Sequence, residues 1–185
     1  RPATPEDIIA SVPYVKRIVE AMCIPILEIA GYEADDVIGT LAFKGAKAGY
    51  DVYMVTPDKD YGQLVGENRK IYKQKGDQIE IIDSQAIKEK YGIDDPILVR
   101  DILALWGDAS DNIPGVPGIG PKTAISLIQK YGTVAELYRK IEAGEDDLKG
   151  KQRENIVNNK EMAELSRRLG EIDTHVLIED SLEDI

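Results

Sequence analysis

Apolar residues recur at helical spacing near the start of the chain. Ile8, Ile9, Val12, Val15, Ile18 and Val19 form one stripe, which predicts a helix over residues 4–22. Thr4 is the expected N-cap, with Pro5 at the first helical position and Asp7 as the capping-box acid. A second helix is predicted over 33–48, ended by Gly49.

Short apolar runs between these stretches predict strands. "IPILEIA" (24–30) and "DVYMVTPD" (51–58) are strand candidates, and residues 69–83 predict a hairpin with its turn at Gly76–Asp77. The order strand, helix, strand predicts a parallel sheet with a right-handed crossover. Because this sheet is thin, we expect at least one further strand before Arg1.

The pattern becomes entirely helical after residue 83. Helices are predicted over 84–92, 95–106, 121–131, 133–143 and 151–169, with a Gly/Pro-rich loop at 113–121. Thr133 and Glu136 form a capping box. Residues 171–185 carry six acids and no Lys or Arg, which predicts a solvated tail, although "THVLIE" around His175 has the pattern of a terminal strand. We therefore expect an α/β domain over 1–83 and a helical domain over 84–185.

Composition narrows the class of protein. No run approaches the ~18 apolar residues of a membrane span, and the single cysteine excludes an intramolecular disulfide framework. Cys23 is expected to be a small buried residue and His175 to be structural rather than catalytic. The net charge of −11, from 23 basic and 34 acidic residues, taken alone argues against a nucleic-acid partner, since phosphate usually meets a basic face.

The acidic residues are concentrated in three groups. They are Glu33, Asp35 and Asp36 in "GYEADD", Asp58 and Asp60 in "TPDKDYGQL", and Asp108 and Asp111 in "WGDASDN". Helix-dipole complementation explains one or two acids at a helix start, and turn positions explain single aspartates after a strand. Asp58 and Asp60 point to the same side if the chain stays extended, and Asp108 and Asp111 share a face if their segment is a helical turn.

The first two groups follow successive predicted strands, so they should meet at the carboxyl edge of the sheet, where ligands bind in α/β folds. Seven carboxylates without a His or Cys partner favour Mg²⁺ or Mn²⁺ over Zn²⁺. They exceed the needs of one Mg²⁺ and suit two ions about 3.5–4 Å apart, the arrangement that nucleases and polymerases use. The sequence therefore predicts a two-metal site for phosphodiester chemistry.

A glycine-rich loop, "GVPGIGPKTA" (115–124), precedes one of the predicted helices. Gly115, Gly118 and Gly120 permit positive φ and close backbone approach, and Lys122 and Thr123 follow in the first helical turn. The spacing does not match a Walker loop, because Pro121 separates Gly120 from Lys122. The loop is either a tight turn between helices or a helix–hairpin–helix that binds the sugar-phosphate backbone without reading bases.

The motifs "GYEADD", "TPDKDYGQL" and "GDASDNIPGVPGIGPKTA" together resemble the 5′-nuclease domain of bacterial DNA polymerase I, within the flap-endonuclease superfamily. The resemblance covers essentially the whole chain. It implies a PIN-like α/β core followed by a helical domain with a helix–hairpin–helix at about 107–131. It also implies that the seven acids bind two Mg²⁺ ions, with Mn²⁺ as a substitute, and cut DNA at a 5′ end or flap.

The resemblance implies further partners and missing parts. The glycine loop with Lys122 and Thr123 resembles a duplex-backbone contact assisted by a monovalent cation. The partner is DNA, as a 5′ flap or nicked duplex, and the protein is expected to be a monomer in the bacterial cytoplasm, near the nucleoid and away from membranes. A strand bearing a metal-binding aspartate, a second metal aspartate and most of a basic helical arch should precede Arg1. We therefore expect weak or no activity from this chain alone.

Four alternatives remain open. A non-catalytic helix–hairpin–helix module explains the loop but not the acids, and a PIN-type ribonuclease explains the acids but not a duplex-binding loop. A free-standing 5′-3′ exonuclease would share every motif. An acidic interaction domain with no nucleic-acid role explains neither feature.

Overall fold

The computed structural model describes residues 3–179 and 181–183. It contains a small three-stranded sheet and a larger set of helices. The helices are α1 (Glu6–Ala21), α2 (Ala34–Lys47), α3 (Ser84–Tyr91), α4 (Val99–Trp106), α5 (Pro121–Tyr131), α6 (Val134–Glu142), α7 (Gly150–Asn158) and α8 (Lys160–Leu169). The strands are β1 (Val52–Val55), β2 (Arg69–Lys75) and β3 (Gln78–Ile82), and 3₁₀ turns cover Asp60–Leu64 and Pro96–Leu98.

The sheet has the order β1–β2–β3. β2 and β3 form the predicted antiparallel hairpin, with Ile71 opposite Ile82 and a turn at residues 76–77, where Gly76 has a φ of +62°. β1 pairs with β2 in parallel, with Val52 opposite Arg69. The two parallel strands are therefore connected by the segment between β1 and β2. The sequence predicted a connection through the helix α2 instead.

The predicted strand over 24–30 does not form. Residues 23–29 have no regular secondary structure, and Ile24 and Ile26 are exposed. Leu27 and Ile29 instead pack against a small cluster that includes Val37 on α2. A strand needs a hydrogen-bonded neighbour, and within the described residues no strand lies beside this segment.

Helix α1 forms as predicted, but its start and its environment differ. Pro5 is the cap residue, with φ −54° and ψ 142°, and no side chain caps the helix, so Thr4 is not the N-cap and Asp7 makes no capping box. None of the α1 residues is buried. Cys23, just beyond the helix, is exposed and has a φ of +55°, so the expectation of a buried cysteine is wrong.

The helical part follows the predicted order with two changes. Thr133 caps α6 by accepting a hydrogen bond from the N–H of Glu136 at 3.1 Å, as predicted. The predicted helix over 151–169 is two helices, because Asn159 leaves the helical conformation and its side chain donates to the Asn155 carbonyl at 2.7 Å. Such side-chain bonds to the local backbone compete with helix continuation. The predicted 95–106 helix begins with a 3₁₀ turn before α4.

One hydrophobic core spans the two predicted domains. It contains Leu64 and Ile71 from the first part and Ile102, Leu105 and Leu137 from the second. Because this core is continuous across residue 84, it does not mark a division there, and the domain boundary near residue 84 stays a prediction. Among the described residues, no helix combines the length and the apolar character that crossing a bilayer requires.

The segment after α8 packs against α2, so the predicted solvated tail is wrong for this part. Val176 and Ile178 are buried. The hydroxyl of Thr40 accepts a hydrogen bond from the N–H of Val176 at 3.1 Å, and Lys44 donates to the Ile178 carbonyl at 2.8 Å. No strand forms around His175, and its side chain is exposed. Residues 180, 184 and 185 of the predicted tail lie outside the described residues.

Candidate metal centre and nucleic-acid interface

Six of the seven predicted carboxylates line one cavity of about 810 Å³. They are Glu33, Asp35, Asp36, Asp58, Asp60 and Asp111. The seventh, Asp108, is buried beside it, and Asp60, Asp108 and Asp111 each offer an oxygen atom within 4.8 Å of the others. The sequence groups therefore converge in space, from the start of α2, the loop after β1 and the turn after α4.

The first group stands at the start of α2, where the backbone and a tyrosine fix its carboxylates. The N–H of Glu33 donates to Oδ2 of Asp36 at 3.2 Å, which is one half of the capping box that anchors the helix start. The hydroxyl of Tyr61 donates to Oδ1 of Asp35 at 2.8 Å. Burial and the Asp35 carboxylate raise the pKa of Tyr61, so this phenol stays protonated as a donor.

Asp58 and Asp60 reach the cavity by a route that differs from the prediction. β1 ends at Val55, and Asp60 begins a 3₁₀ turn, so the chain is not extended here. The N–H of Asp60 donates to Oδ1 of Asp58 at 2.9 Å, a local aspartate turn. This turn, rather than the strand period, directs both carboxylates toward the cavity.

Asp108 and Asp111 lie in a tight turn, not in the predicted helical turn. α4 ends at Trp106, and Asp108 and Ile113 exchange two backbone hydrogen bonds of 2.9 and 2.8 Å. The N–H of Ser110 donates to Oδ1 of Asp108 at 2.8 Å. The turn brings the two aspartates together by closing a loop over six residues.

Asp60 is the electrostatic centre of the site. It is 7 % exposed, and its Oδ1 atom is buried without a hydrogen-bond partner. Burial, followed by the neighbouring Asp58, raises its pKa to about 6. A buried carboxylate oxygen without a donor is costly, and a hard divalent cation is the partner that such an all-oxygen group would accept. The residues present therefore fit a divalent metal ion.

Lys59 is a contributor to this site that the sequence analysis missed. Its ammonium forms an ion pair with Asp108, lies 3.7 Å from Oδ1 of Asp60, and stands 5.5 Å from the ring centroid of Trp106. Burial would raise the pKa of Asp108, but the hydrogen bonds from Lys59 and Ser110 outweigh it and lower that pKa. The signal was its place between two acids in "DKD".

The glycine loop connects α4 to α5 and is anchored from within. Gly115 is buried, has a φ of +64°, and donates its N–H to the buried Ser166 hydroxyl at 3.0 Å. Gly118 also has a positive φ, +78°, whereas Gly120 is extended with φ −87° and does not use the positive φ that glycine permits. Gly115 thus holds the loop in place, while Gly118 and Gly120 are exposed.

Lys122 and Thr123 lie in the first turn of α5, after Pro121 at the first helical position. Lys122 is exposed and Thr123 is half-buried. Both line another cavity, of about 380 Å³, which Lys130 and its ion-pair partner Asp147 also line. The amide groups of a first helical turn have no intrahelical acceptor, and with a lysine beside them they form a site suited to an anion.

Comparisons with known proteins agree with this architecture. The family model described as the N-terminal resolvase-like domain of 5′-3′ exonucleases matches residues 1–92, and the model of their C-terminal SAM fold matches residues 95–185. These matches confirm the predicted α/β part followed by a helical part.

Curated relatives match over the whole length of this chain. It is 39 % identical to DNA polymerase I of Bacillus caldotenax and covers 21 % of that protein. It is 40 % identical to a 5′-3′ exonuclease of Aquifex aeolicus (strain VF5) and covers 61 % of it. The chain therefore spans about a fifth of the polymerase and about three fifths of the exonuclease.

A solved structure shares the fold at lower sequence identity. The bacteriophage T5 D15 flap endonuclease, in a complex with DNA and metal ions, has a TM-score of 0.71 and 23 % identity, and the match covers 94 % of this chain and 63 % of that one. This likeness shows the fold. The two family models and the curated relatives confirm the resemblance drawn from the three acidic motifs and the glycine loop: the chain belongs to the 5′-3′ exonuclease family.

Proposed function

We propose that this chain forms the metal centre and part of the DNA-binding surface of a 5′-3′ exonuclease or flap endonuclease. The observation that carries the proposal is Oδ1 of Asp60, which is buried without a hydrogen-bond partner in a cavity that five more of the seven predicted carboxylates line. Among the residues that the structure describes, neither histidine nor cysteine lines this cavity, so its donor set favours Mg²⁺, with Mn²⁺ as a substitute.

The seven acids divide by position into two sets. Asp60, Asp108 and Asp111 are close enough to share one ion, and Glu33, Asp35, Asp36 and Asp58 line the same cavity and would serve the second. Bound divalent ions supply an activated water and stabilise the leaving oxygen in phosphodiester hydrolysis. The absence of a His or Cys nucleophile from the lining suits this chemistry, since the attacking group is then water.

The protein's own contribution is to hold its carboxylates in place. Tyr61 fixes the direction of Asp35 through the 2.8 Å hydrogen bond, and the Asp60 N–H fixes Asp58. The 3₁₀ turn packs on the core through Tyr61 and Leu64, and the turn at Asp108 is closed by its two backbone hydrogen bonds with Ile113. Carboxylates that are held in this way need little rearrangement when negative charge develops on the phosphate.

The DNA contact is proposed at the loop before α5. Lys122 and Thr123, with the exposed backbone of Gly118 and Gly120, would hold a duplex phosphate, and a monovalent cation bound to loop carbonyls could assist. Gly115 would act through the loop's shape rather than by contact. DNA as substrate is supported by the T5 flap endonuclease complex. A 5′-flap or nicked duplex, a monomeric state and nucleoid association complete the proposal.

The first test is calorimetric titration of the chain with MgCl₂. We expect saturable Mg²⁺ binding by the wild type and lower Mg²⁺ affinity in Asp60→Asn and Asp111→Asn. If the wild type shows no Mg²⁺ binding beyond non-specific charge screening, the metal centre is contradicted. Asp94→Asn, an exposed acid outside the cavity, is the matched control.

The second test is cleavage of a 5′-labelled flap duplex with protein in excess over DNA, which detects slow turnover. Slow Mg²⁺-dependent cutting is expected, blocked by EDTA and by Asp58→Asn. Cutting that persists in EDTA contradicts the mechanism. Preference for single-stranded RNA over the flap in direct competition would favour a ribonuclease instead.

A further inference from the structure

Lys59 lies within the acidic cluster rather than outside it. The sequence places it between Asp58 and Asp60, and its ammonium is ion-paired with Oδ2 of Asp108 and lies 3.7 Å from Oδ1 of Asp60. One cation therefore serves two of the three acids that could share a metal ion. Its side chain is only 32 % exposed and extends over Trp106.

The two oxygens of Asp108 have different partners. Oδ1 accepts the Ser110 N–H at 2.8 Å, and Oδ2 is bonded to Lys59. Oδ1 of Asp60 has no hydrogen-bond partner, and the nearest cationic group to it is the Lys59 ammonium. An ion bound between Asp60, Asp108 and Asp111 would share two of its three carboxylate ligands, Asp60 and Asp108, with the Lys59 ammonium.

We propose that Lys59 is a resident counter-ion that competes with a divalent cation for Asp108 and Asp60. The ammonium stabilises the cluster when no metal is bound and must move off Asp108 when the metal enters. Lys59 is thus a positioning residue that lowers the metal affinity of its own site. This inference rests on the proposed function, because it requires that the acidic cavity binds divalent ions.

Competition with a metal ion and a purely structural role predict different effects on metal affinity when the lysine charge is removed. Loss of a supporting contact would weaken both the fold and metal binding. Loss of a competing charge weakens the metal-free fold but strengthens metal binding, because a monovalent and a divalent cation at neighbouring positions repel each other. The two properties therefore move in opposite directions when the lysine charge is removed.

The test compares Lys59→Met with Lys59→Arg and with Lys70→Met. Lys70 is a matched control: its side chain is 28 % exposed, its ammonium lies 3.8 Å from Asp51 and 5.7 Å from the Tyr53 ring centroid, and it does not line the cavity. Each variant is titrated with MgCl₂ by calorimetry and melted in EDTA.

Lys59→Met should bind Mg²⁺ about fivefold more tightly or better, the order expected for removing one charge about 5 Å from a divalent ion in a screened site. It should also melt at lower temperature in EDTA. Lys59→Arg should stay near the wild type, and Lys70→Met should lose some stability without a change in Mg²⁺ affinity.

Unchanged or weaker Mg²⁺ binding by Lys59→Met overturns the inference. Absence of Mg²⁺ binding by both the wild type and Lys59→Met overturns the proposed function instead. If Lys59→Met does not fold, the wild type decides: Trp106 is the single tryptophan, and saturating MgCl₂ should shift its emission as the ammonium leaves the ring. An emission unchanged at saturation contradicts the competition.

Discussion

The backbone N–H of Asp173 donates a hydrogen bond to Oδ1 of Asp36 at 2.9 Å, across 137 residues of chain. The other oxygen of this carboxylate, Oδ2, accepts the N–H of Glu33. Both bonds come from backbone, so the carboxylate has a fixed direction at the edge of the cavity. The segment after α8 is therefore part of the site, although the sequence suggested a solvated tail.

Replacing Gln63 should detach this segment. Gln63 is 3 % exposed and its amide bridges three backbone groups: it donates to the carbonyls of Gly170 at 2.9 Å and Asp60 at 3.1 Å and accepts the N–H of Ile172 at 3.1 Å. Gln63→Leu leaves these groups unpaired, so the free energy of unfolding should fall by about 1–3 kcal/mol. Urea denaturation measures the loss.

The control for this prediction is Gln74→Leu. Gln74 is exposed on β2 and makes one local hydrogen bond of 3.3 Å, so its replacement should change stability by less than about 0.5 kcal/mol. Weaker Mg²⁺ binding is also expected for Gln63→Leu, because Asp60 and Asp36 lose support. Equal effects of the two substitutions would show that the bridge is unimportant.

Gly115→Ala should be strongly destabilising. A Cβ atom there would lie 2.5 Å from the backbone nitrogen of Gly107 and 2.6 Å from the carbonyl carbon of Trp106, and the φ is +64°. Backbone atoms cannot move aside cheaply, so a loss of about 3 kcal/mol or more is expected. Gly120→Ala is the matched control, with φ −87° and nothing within 4 Å of the added atom. It should unfold at nearly the wild-type urea concentration; an equal loss would refute the packing argument.

Local signals predicted the parts of the fold that local chemistry determines. The hairpin turn at Gly76, the Thr133 cap and the entry of α5 at Pro121 agree with the structure, because each depends on a few neighbouring residues. The strand over 24–30 and the solvated tail failed. A strand requires a hydrogen-bonded partner, and the burial of Val176 depends on α2, more than a hundred residues away. Neither relationship is encoded in a short window.

The site shows the same division. The acids could be found from residue type and from their grouping along the chain, and they do converge, although the first of the two strands expected to place them does not form. The detailed reasons were wrong, because turns rather than an extended strand or a helical turn orient Asp60 and Asp108. Lys59, Tyr61 and Gln63 were missed, since a lysine, a tyrosine and a glutamine carry no distinctive spacing and act here through three-dimensional contacts.

The metal-free chain should lose stability as pH rises from about 4 to 7. The pKa of Asp60 is raised to about 6 in the fold, above its ordinary 3.8, so the folded state binds this proton more tightly than the unfolded state. The favourable contribution is present below pH 4 and is lost as the carboxyl ionises, by about 2–3 kcal/mol. Thermal melting in EDTA across this pH range measures the loss.

Asp60→Asn should flatten this part of the stability profile and raise stability at pH 7.5. Asp94→Asn, the control, should leave the slope unchanged. Parallel profiles for the wild type and Asp60→Asn would contradict the assignment to Asp60.

Lys122→Ala should weaken duplex DNA binding to the same degree for unrelated sequences. Lys122 is exposed at the start of α5, where it and the first-turn amides can meet a phosphate but no base edge is implied. Losing one phosphate contact should also reduce the slope of log affinity against log salt by about one. Fluorescence anisotropy with two duplexes of different sequence, at several NaCl concentrations, measures both effects. Lys160→Ala is the control, because Lys160 is half-buried, is paired with Glu142 and does not line the cavity beside Lys122 and Thr123. A loss of affinity that depends on the DNA sequence, or a salt-dependence slope equal to that of the wild type, would show that Lys122 does not contact the DNA backbone.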